Sequence, residues 1–276
     1  MPKNQSDGQK LYFGAAHFME RAFDKIGPYV TIASLLLAWE LAARLEIVIA
    51  FLLPPLSIVL TRIGSDIMSG QLPLDVAITL YRTVLAFGLA AVIGVTLGIL
   101  ISRVSWIRWF FDPLISIGLP MPKIALLPIF MLWFGLFDLS KILMVAFSAS
   151  FQIVIATWSA TQAVEKELIW SAQSLGASRR EILRQVILPA AMPQILTGLQ
   201  IAVPICLIVV LITEMIMGGQ GLGDSMLRSA RYVDSPGVFA GIVEIGVLGF
   251  CVIKSMEYVR GKLLFWHSET SAGTTF

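Results

Sequence analysis

The chain has 276 residues, of which 57% are apolar and 14% are charged, with a formal net charge of +2 and a mean hydropathy of +0.83. Because soluble domains average about 45–50% apolar and about 25% charged residues, these values exclude a disordered chain, a nucleic-acid-binding domain and an ordinary soluble enzyme. The remaining class is an all-α integral membrane protein.

The first 27 residues form a predicted cytoplasmic segment. They contain no uninterrupted apolar run of the signal-peptide type, so we expect no cleavage. Apolar residues recur in the segment at helical spacing and predict an amphipathic helix that lies on the membrane surface. These residues are Leu11, Ala15, Phe18, Met19, Ala22 and Ile26. A transmembrane domain is predicted over 28–262, followed by a cytoplasmic tail over 263–276.

Six apolar runs can cross a bilayer, since a helix needs about 20 apolar residues to span a core of about 30 Å. After the first run, Pro54 and Pro55 end its extension, and 56–70 predicts a short amphipathic helix on the outer side. In the second run Gly94 and Gly98 permit close helix approach, within one chain or at a subunit interface. The six runs lie at about 28–45, 79–101, 113–135, 139–161, 189–213 and 237–259.

Lysine and arginine residues set the orientation of the chain, because cytoplasmic loops carry an excess of both. With the N-terminus inside, the inner segments contain 12 of them and the outer segments six, which places both termini in the cytoplasm. The inner set is Lys3, Lys10, Arg21, Lys25, Arg103, Arg108, Lys166, Arg179, Arg180, Arg184, Arg260 and Lys262. The outer set is Arg44, Arg62, Arg82, Lys141, Arg228 and Arg231.

The third run contains three prolines, each of which removes a backbone donor or kinks the helix. Irregular backbone at membrane depth persists only where protein buries it or water lines it, so this span is predicted to border a translocation pathway. Near the end of the fifth run, 218–223 (GGQGLG) predicts a bent segment rather than a regular helix. The candidate pathway residues are Pro120, Pro122, Lys123, Pro128 and Glu214.

The longest cytoplasmic loop, 162–188, has a helix–turn–helix pattern. Its first helix, over 166–175, ends at Gly176, a residue suited to the left-handed conformation that closes helices. Ser178 and Glu181 form a predicted capping box that starts a second helix, and Pro189 lies where the chain enters the fifth span. A compact knob of this kind, on a chain with no predicted soluble domain, indicates a docking partner. The alternative is a surface helix pair without a partner.

The same loop resembles the signature loop of ABC-importer permeases, E-A-A-x3-G-x9-I-x-L-P. Ser171, Ala172, Gly176, Val186, Leu188 and Pro189 fall at its register, with Ser171 and Val186 as substitutions, and Trp170 stands where the family has Glu. Five further stretches resemble the nitrate/sulfonate/taurine permease branch. These are 53–55 (LPP), 122–128 (PKIALLP), 132–135 (LWFG), 172–178 (AQSLGAS) and 265–267 (FWH).

This resemblance implies the type I ABC importer permease fold in a bacterial inner membrane. Two permease copies would pair, as a homodimer or with a related permease, and an extracytoplasmic solute-binding protein would deliver a solute of the nitrate, sulfonate, taurine or organic-acid class. Two cytoplasmic ATPases, which hold the ATP and Mg²⁺, would dock on the loop. The docking residues it implies are Trp170, Ser171, Ala172, Leu175, Gly176, Ala177, Ser178, Glu181, Leu188 and Pro189.

The chain itself is predicted to have no catalytic residue, cofactor site or metal site. It lacks the G-x-x-x-x-G-K-[ST] phosphate loop of an ATPase, and its two cysteines and two histidines provide no basis for a disulfide framework or a metal cluster. An intramembrane hydrolase would need a nucleophile and a base at membrane depth, and no predicted span contains histidine. A secondary transporter or channel that works without ATP remains an alternative, but the docking loop would then have no role.

Charges at membrane depth are functional hypotheses because each costs about 2.5–3.5 kcal/mol to insert. Glu40 and Arg44 form a predicted i,i+4 pair. Glu214 either holds the glycine-rich bend or faces the pathway. Lys123 either lies on the pathway and attracts anions, or bonds carbonyls freed by the prolines or pairs with Glu214 or Glu244.

Overall fold

The computed structural model describes residue 27 and residues 30–264, and the predicted surface helix before residue 27 and the tail beyond 264 lie outside them. Within the described residues the chain is a series of helices, joined by a 3-10 turn over Lys123–Leu126 and a π-helical turn over Ile182–Ile187. The helices are α1 (30–44), α2 (Leu56–Met68), α3 (Gln71–Arg103), α4 (Ser105–Gly118), α5 (Leu127–Phe134), α6 (Asp138–Gln162), α7 (Lys166–Ser174), α8 (Arg179–Glu181), α9 (Leu188–Met217), α10 (Leu222–Arg231) and α11 (Ser235–Leu263).

Five of the six predicted spans correspond to helices that are long and apolar enough to cross a membrane. Four are the continuous helices α3, α6, Arg179–Met217 and α11, and the fifth is the pair formed by α4 and 123–134, bent by 99°. For the first predicted span, the described residues form α1. With 33 residues, α3 is about 50 Å long, so it extends beyond a hydrocarbon core of about 30 Å.

Alanine, cysteine and β-branched residues form the centre of the bundle, where α3 packs on α6 and α6 packs on α9. A Cβ atom on Gly94 would lie 2.6 Å from Cβ of Ile153, and one on Gly98 would lie 2.6 Å from Cβ of Thr157. The close approach at these glycines is therefore between α3 and α6 of one chain. The buried residues of this core are Ala86, Ala90, Val145, Ala146, Ala149, Ile153, Ala202, Cys206 and Val210.

The chain divides into two compact units between Arg62 and Ile63. In the first, Glu40 accepts hydrogen bonds from Arg44 at 2.6 Å and from the Ser57 hydroxyl at 2.9 Å. The predicted Glu40–Arg44 pair is thus confirmed, and the carboxylate also binds the first turn of α2. Nε1 of Trp39 donates to the carbonyl of Pro54 at 3.0 Å, which ties α1 to the Pro54–Pro55 bend.

Two ends of the second unit can be distinguished by their contacts. At one end Arg103 of α3 donates to the carbonyl of Thr161 of α6, and the 162–188 loop follows; we name this the loop end. At the other end Asp75 of α3 accepts a hydrogen bond from the Gly221 amide. We name that the glycine-turn end, after the non-helical residues 218–221, which we call the glycine turn.

Candidate functional site

The 162–188 loop contains the tight turn that its sequence predicted. Gly176 has φ of +82°, a left-handed conformation that side chains rarely adopt. The Gly176 amide donates to the carbonyl of Gln173 at 2.9 Å, and the Ala177 amide donates to that of Ala172 at 3.1 Å. These bonds satisfy carbonyls at the end of α7, as a glycine C-cap does. The helix ends at Ser174, one residue before its predicted end.

The predicted capping box is present at the start of the next helix. The Glu181 amide donates to Oγ of Ser178 at 3.4 Å, and the Ser178 amide donates to the Glu181 carboxylate at 2.7 Å. The Ser178 and Glu181 amides, which have no helical acceptor at the start of a helix, are thereby satisfied within the chain. The predicted loop architecture of helix, turn and helix is therefore present in the structure.

The second loop helix, however, does not end before the fifth span. Helical structure runs without interruption over Arg179–Met217, and Pro189 lies in the first turn of α9, at the start of the predicted fifth span. Proline lacks an N–H donor and crowds the carbonyl four residues earlier. The π-helical turn over Ile182–Ile187, whose hydrogen bonds skip one further residue, lies directly before Pro189 and allows the helix to continue past it.

Most of the docking residues implied by the resemblance are open to solvent or to a partner. The side chains of Trp170 and Leu175 are 58% and 88% exposed. Ser171, Gly176, Ser178, Glu181 and Pro189 are also exposed, whereas Ala172, Ala177 and Leu188 are half-buried. Ile182 and Ile187 are buried beneath them. The structure thus presents this surface on a capped turn that is joined directly to the helix Arg179–Met217.

The third predicted span is broken where its prolines predicted a break. Helix α4 ends at Gly118 and α5 begins at Leu127, with Pro120 and Pro122 in the non-helical segment and Pro128 in the first turn of α5. A proline in a first turn costs nothing because its missing N–H would have no helical partner. The 99° bend therefore has a local cause in the sequence.

Lys123 lies at this bend and is partly exposed. Its ammonium donates to the carbonyl of Leu119 at 3.1 Å and lies 5.0 Å from the centre of the Phe151 ring. Leu119 precedes a proline, so the contact agrees with the alternative in which Lys123 bonds a carbonyl of the broken helix. The Phe151 ring adds a cation–π contact, which joins the bend to α6.

Glu214 binds Gly223, at the end of the predicted glycine-rich bend of 218–223 and just after the glycine turn, which agrees with the first of the two roles that the sequence left open. Its side chain is fully buried. The carboxylate accepts hydrogen bonds from the guanidinium of Arg82 at 2.7 Å, from the hydroxyl of Thr79 at 3.0 Å and from the amide of Gly223 at 3.0 Å. A carboxylate without water is stable only when it is paired and hydrogen-bonded, and these three donors provide both.

Arg82 is the centre of this arrangement, since it also binds α6 and the glycine turn. Its Nε and Nη2 atoms contact one carboxylate oxygen of Asp138 at 2.9 and 2.7 Å, and Nη1 donates to the carbonyl of Gln220 at 2.7 Å. Lys141, 1% exposed, donates to the carbonyl of Gly218 at 2.6 Å. We call the side chains of Asp75, Thr79, Arg82, Asp138, Lys141 and Glu214 the Arg82 cluster.

The glycine turn is shaped so that the cluster can bind its backbone. Gly218, Gly219, Gln220 and Gly221 all have positive φ, at 70°, 91°, 58° and 118°. A Cβ atom on Gly221 would occupy the space of the Glu214 carboxylate, so only glycine fits there. The sequence predicted the irregular turn, and the structure shows that buried charges bind it.

Sequence reasoning did not assign Arg82, Asp138 and Lys141 to any site, because it counted the two cations only as flanking charges. A usable signal was present. Arg82 lies three residues inside the second predicted span and Lys141 two residues inside the fourth. A charge inside an apolar run is costly unless it is paired, so each required a partner at the same depth.

Comparison with known proteins identifies the family. The model of the family described as "Binding-protein-dependent transport system inner membrane component" matches residues 90–264, which is more than half of the chain. The chain belongs to this family. It is the membrane permease of an ABC transport system, and the resemblance of the signature loop is thereby confirmed.

Its curated relatives are similar over nearly their whole length. The chain is 32% identical over 244 residues to the "Taurine transport system permease protein TauC" of Escherichia coli, covering 87% of this chain and 89% of the relative. It is 32% identical to the "Putative aliphatic sulfonates transport permease protein SsuC" of Bacillus subtilis, covering 86% of each. It is 31% identical to the "Formylaminopyrimidine transport permease protein ThiX" of Halalkalibacterium halodurans, covering 91% of this chain and all of the relative.

Solved structures show the same fold. An inward-facing form of the MetNI methionine ABC transporter matches with a TM-score of 0.53 at 20% identity, over 66% of this permease and 94% of that chain. An amino acid ABC transporter crystallised with histidines matches with a TM-score of 0.54 at 22% identity, over 71% of this permease and 95% of that chain. The permease therefore has the type I ABC importer fold that the sequence predicted.

Proposed function

We propose that this permease forms the translocation pathway of an ATP-driven importer and receives its energy through the 162–188 loop. The observation that carries this proposal is the continuity of the loop with the fifth span. The capped, exposed loop enters the helix Arg179–Met217 without a break. A partner that moves the loop therefore moves a helix of about 58 Å as one element.

The loop end faces the cytoplasm in this proposal, with both termini on that side. The excess of lysine and arginine in the segments on that side supports this orientation. Two ATPase subunits, which bind the ATP and Mg²⁺, dock on the loops of two permease copies, because one chain supplies one docking loop. The chain itself has no catalytic role and binds no cofactor. The glycine-turn end then faces outward, where a solute-binding protein delivers its substrate.

The substrate proposed is a small anion of the sulfonate, taurine or nitrate class. Two of the relatives are named for taurine and aliphatic sulfonates. In the structure, the partly exposed ammonium of Lys123 beside the broken third span provides a positive charge at the place where the pathway is proposed to run. Pro120 and Pro122 keep the backbone irregular there, Pro128 lies in the first turn of α5 beside it, and Glu214 holds the outer end of the pathway in shape.

Replacement of Gly176 tests the docking role of the loop. In Gly176→Val a β-branched residue would have to adopt φ of +82°, so the turn must become strained or change shape. We expect the reconstituted complex of permease, ATPase and binding protein to lose substrate-stimulated ATP hydrolysis while the permease still inserts. Gly246→Val is the matched control, because a Cβ atom there meets open space. Normal stimulation in Gly176→Val, or uptake that needs no ATP, would contradict the proposal.

A further inference from the structure

The end of α10 projects an unusual group of exposed side chains from the glycine-turn end. Arg231, Tyr232 and Val233 are all exposed, Tyr232 at 82% and Val233 at 65%. Arg228, one turn earlier, has a side chain 43% exposed. We name these four residues the α10 tip. Arginine and tyrosine are the residue types enriched at the energetic centres of protein interfaces.

Val233 at the tip is held in a conformation that is unfavourable for its type. Its φ is +60°, a left-handed geometry that is an outlier for a β-branched residue. The Val233 amide donates to the carbonyl of Ala230, and the Asp234 amide donates to that of Ser229 at 2.9 Å. This is the hydrogen-bond pattern of a helix end that glycine usually occupies. A strained residue of this kind indicates a functional constraint.

The strain is maintained because both sides of the tip are fixed. On the far side, Oδ1 of Asp234 accepts a hydrogen bond from the Gly237 amide at 3.1 Å and caps α11. On the near side, three successive amides at the start of α10 donate to buried side chains of α3 and α9: Gly221 to Asp75, Leu222 to Thr79 and Gly223 to Glu214. The helix that carries the tip is therefore bound to the Arg82 cluster at its start, and the residue after the tip caps α11.

The charges around the tip define the surface that fits it. Arg228 is partly neutralised, since it lies 3.4 Å from Asp224 and 4.0 Å from Asp75, beside a cleft of about 360 Å³ that Gln220 also lines. Arg231 extends beyond this pair and is exposed. Cations in the last turn of a helix are explained in part by the helix dipole, but the dipole does not explain the exposed Tyr232 or the strain at Val233.

From these observations we infer that the α10 tip is the point at which the solute-binding protein docks, through an acidic surface with a socket for Tyr232. The inference rests on the proposed function, which places the glycine-turn end outside the cell. Arg231 pairs with a carboxylate of the binding protein, and the exposed ring of Tyr232, next to the left-handed Val233, enters the socket. The contact reaches α3, α6 and α9 through the Arg82 cluster, and α9 continues to the 162–188 loop.

The test measures ATP hydrolysis by the reconstituted complex as the concentration of substrate-loaded binding protein is raised. We expect Tyr232→Ala and Arg231→Glu each to raise the half-maximal concentration about tenfold or more, with basal hydrolysis and melting temperature unchanged. Arg231→Lys retains most of the binding. Tyr258→Ala is the matched control, because Tyr258 is 72% exposed on α11 near its opposite end, and its half-maximal concentration should equal that of the wild type.

Two further measurements separate the possible failures. Val233→Gly should raise the melting temperature, because glycine relieves the left-handed strain, and should weaken docking several-fold by freeing the ring. If the half-maximal concentrations of binding protein for Tyr232→Ala and Arg231→Glu both stay within twofold of the wild-type value, the inference is wrong while the proposed function stands. Quenching of Tyr232→Trp fluorescence by brominated lipid, without a response to binding protein, would also overturn it. If the wild type shows no stimulation at all, the proposed function itself fails.

Discussion

Arg82 and Glu214 are separated by 132 residues in the chain and form a buried ion pair of 2.7 Å. The pair joins α3 to α9 at the level where α9 gives way to the glycine turn. Because Arg82 also contacts Asp138 of α6, three helices meet at one guanidinium. The geometry of the glycine-turn end therefore depends on a small number of charges.

Removal of one member of this pair should destabilise the permease strongly. Arg82→Met leaves the buried Glu214 carboxylate without its cation, and the loss of one partner from a buried pair costs about 3–5 kcal/mol. We expect a large fall in melting temperature in detergent. The double variant Arg82→Met/Glu214→Leu should recover part of the loss, because the fully buried carboxylate is removed together with its cation, while Asp138, the other partner of Arg82, is half-exposed. Equal melting temperatures of Arg82→Met and the wild type would show that the pair has no structural role.

The Thr79 hydroxyl should contribute to stability in a way that its methyl group does not. It donates to Glu214 and accepts from the Leu222 amide at 3.0 Å, so Thr79→Val leaves buried polar groups unpaired at a cost of about 1–3 kcal/mol. Thr79→Ser keeps the hydroxyl and is the control. In thermal unfolding, the melting temperature of the wild type should be close to that of Thr79→Ser and well above that of Thr79→Val. An unchanged valine variant would contradict the bonding shown in the structure.

Gly98 should not tolerate a side chain, because α3 and α6 approach too closely there. A Cβ atom on Gly98 would lie 2.6 Å from Cβ of Thr157 and 2.8 Å from the backbone oxygen of Val154. We expect Gly98→Val to give little folded protein, measured as the monodisperse fraction in size-exclusion chromatography. Gly88→Val lies on the same helix with open space around its Cβ and should behave as the wild type. Similar yields of the two variants would be evidence against this packing.

Lys123 should affect uptake through its charge. Lys123→Met removes the ammonium that we propose to attract anions, and Lys123→Arg keeps a cation at the bend. We expect sulfonate uptake by the assembled complex to fall about tenfold in Lys123→Met and much less in Lys123→Arg. Unchanged uptake in an assembled Lys123→Met complex would remove Lys123 from the pathway. If the Lys123→Met complex fails to assemble, the structural contact of Lys123 with the Leu119 carbonyl outweighs a role in attracting anions.

Local features of the fold could be predicted from the sequence, because local rules decide them. The break in the third span follows from Pro120 and Pro122, the end of α7 follows from Gly176, and the capping box follows from Ser178 and Glu181. In each case the physical cause lies within four residues of the effect. The signature loop also indicated the family, because its residue types and their spacing along this chain match the family's pattern.

The Arg82 cluster could not be assembled in the same way. The sequence shows that a charge at membrane depth needs a partner, but the pairing of Arg82 with Asp138 and Glu214 depends on which helices become neighbours. Nor does proline chemistry alone show whether a helix ends at Pro189 or continues past it. In this chain a π-helical turn precedes Pro189 and the helix continues, with Ile182 and Ile187 of that turn buried.

The central claim is that the 162–188 loop is the surface through which an ATPase drives this permease. It is tested most directly by a photo-cross-linking amino acid placed at Leu175, which is 88% exposed, in membranes that contain the whole transport complex. We predict a cross-link to the ATPase subunit from position 175 and none to that subunit from position 232. The absence of an ATPase cross-link at 175, or equal cross-linking from 175 and 232, would contradict the account.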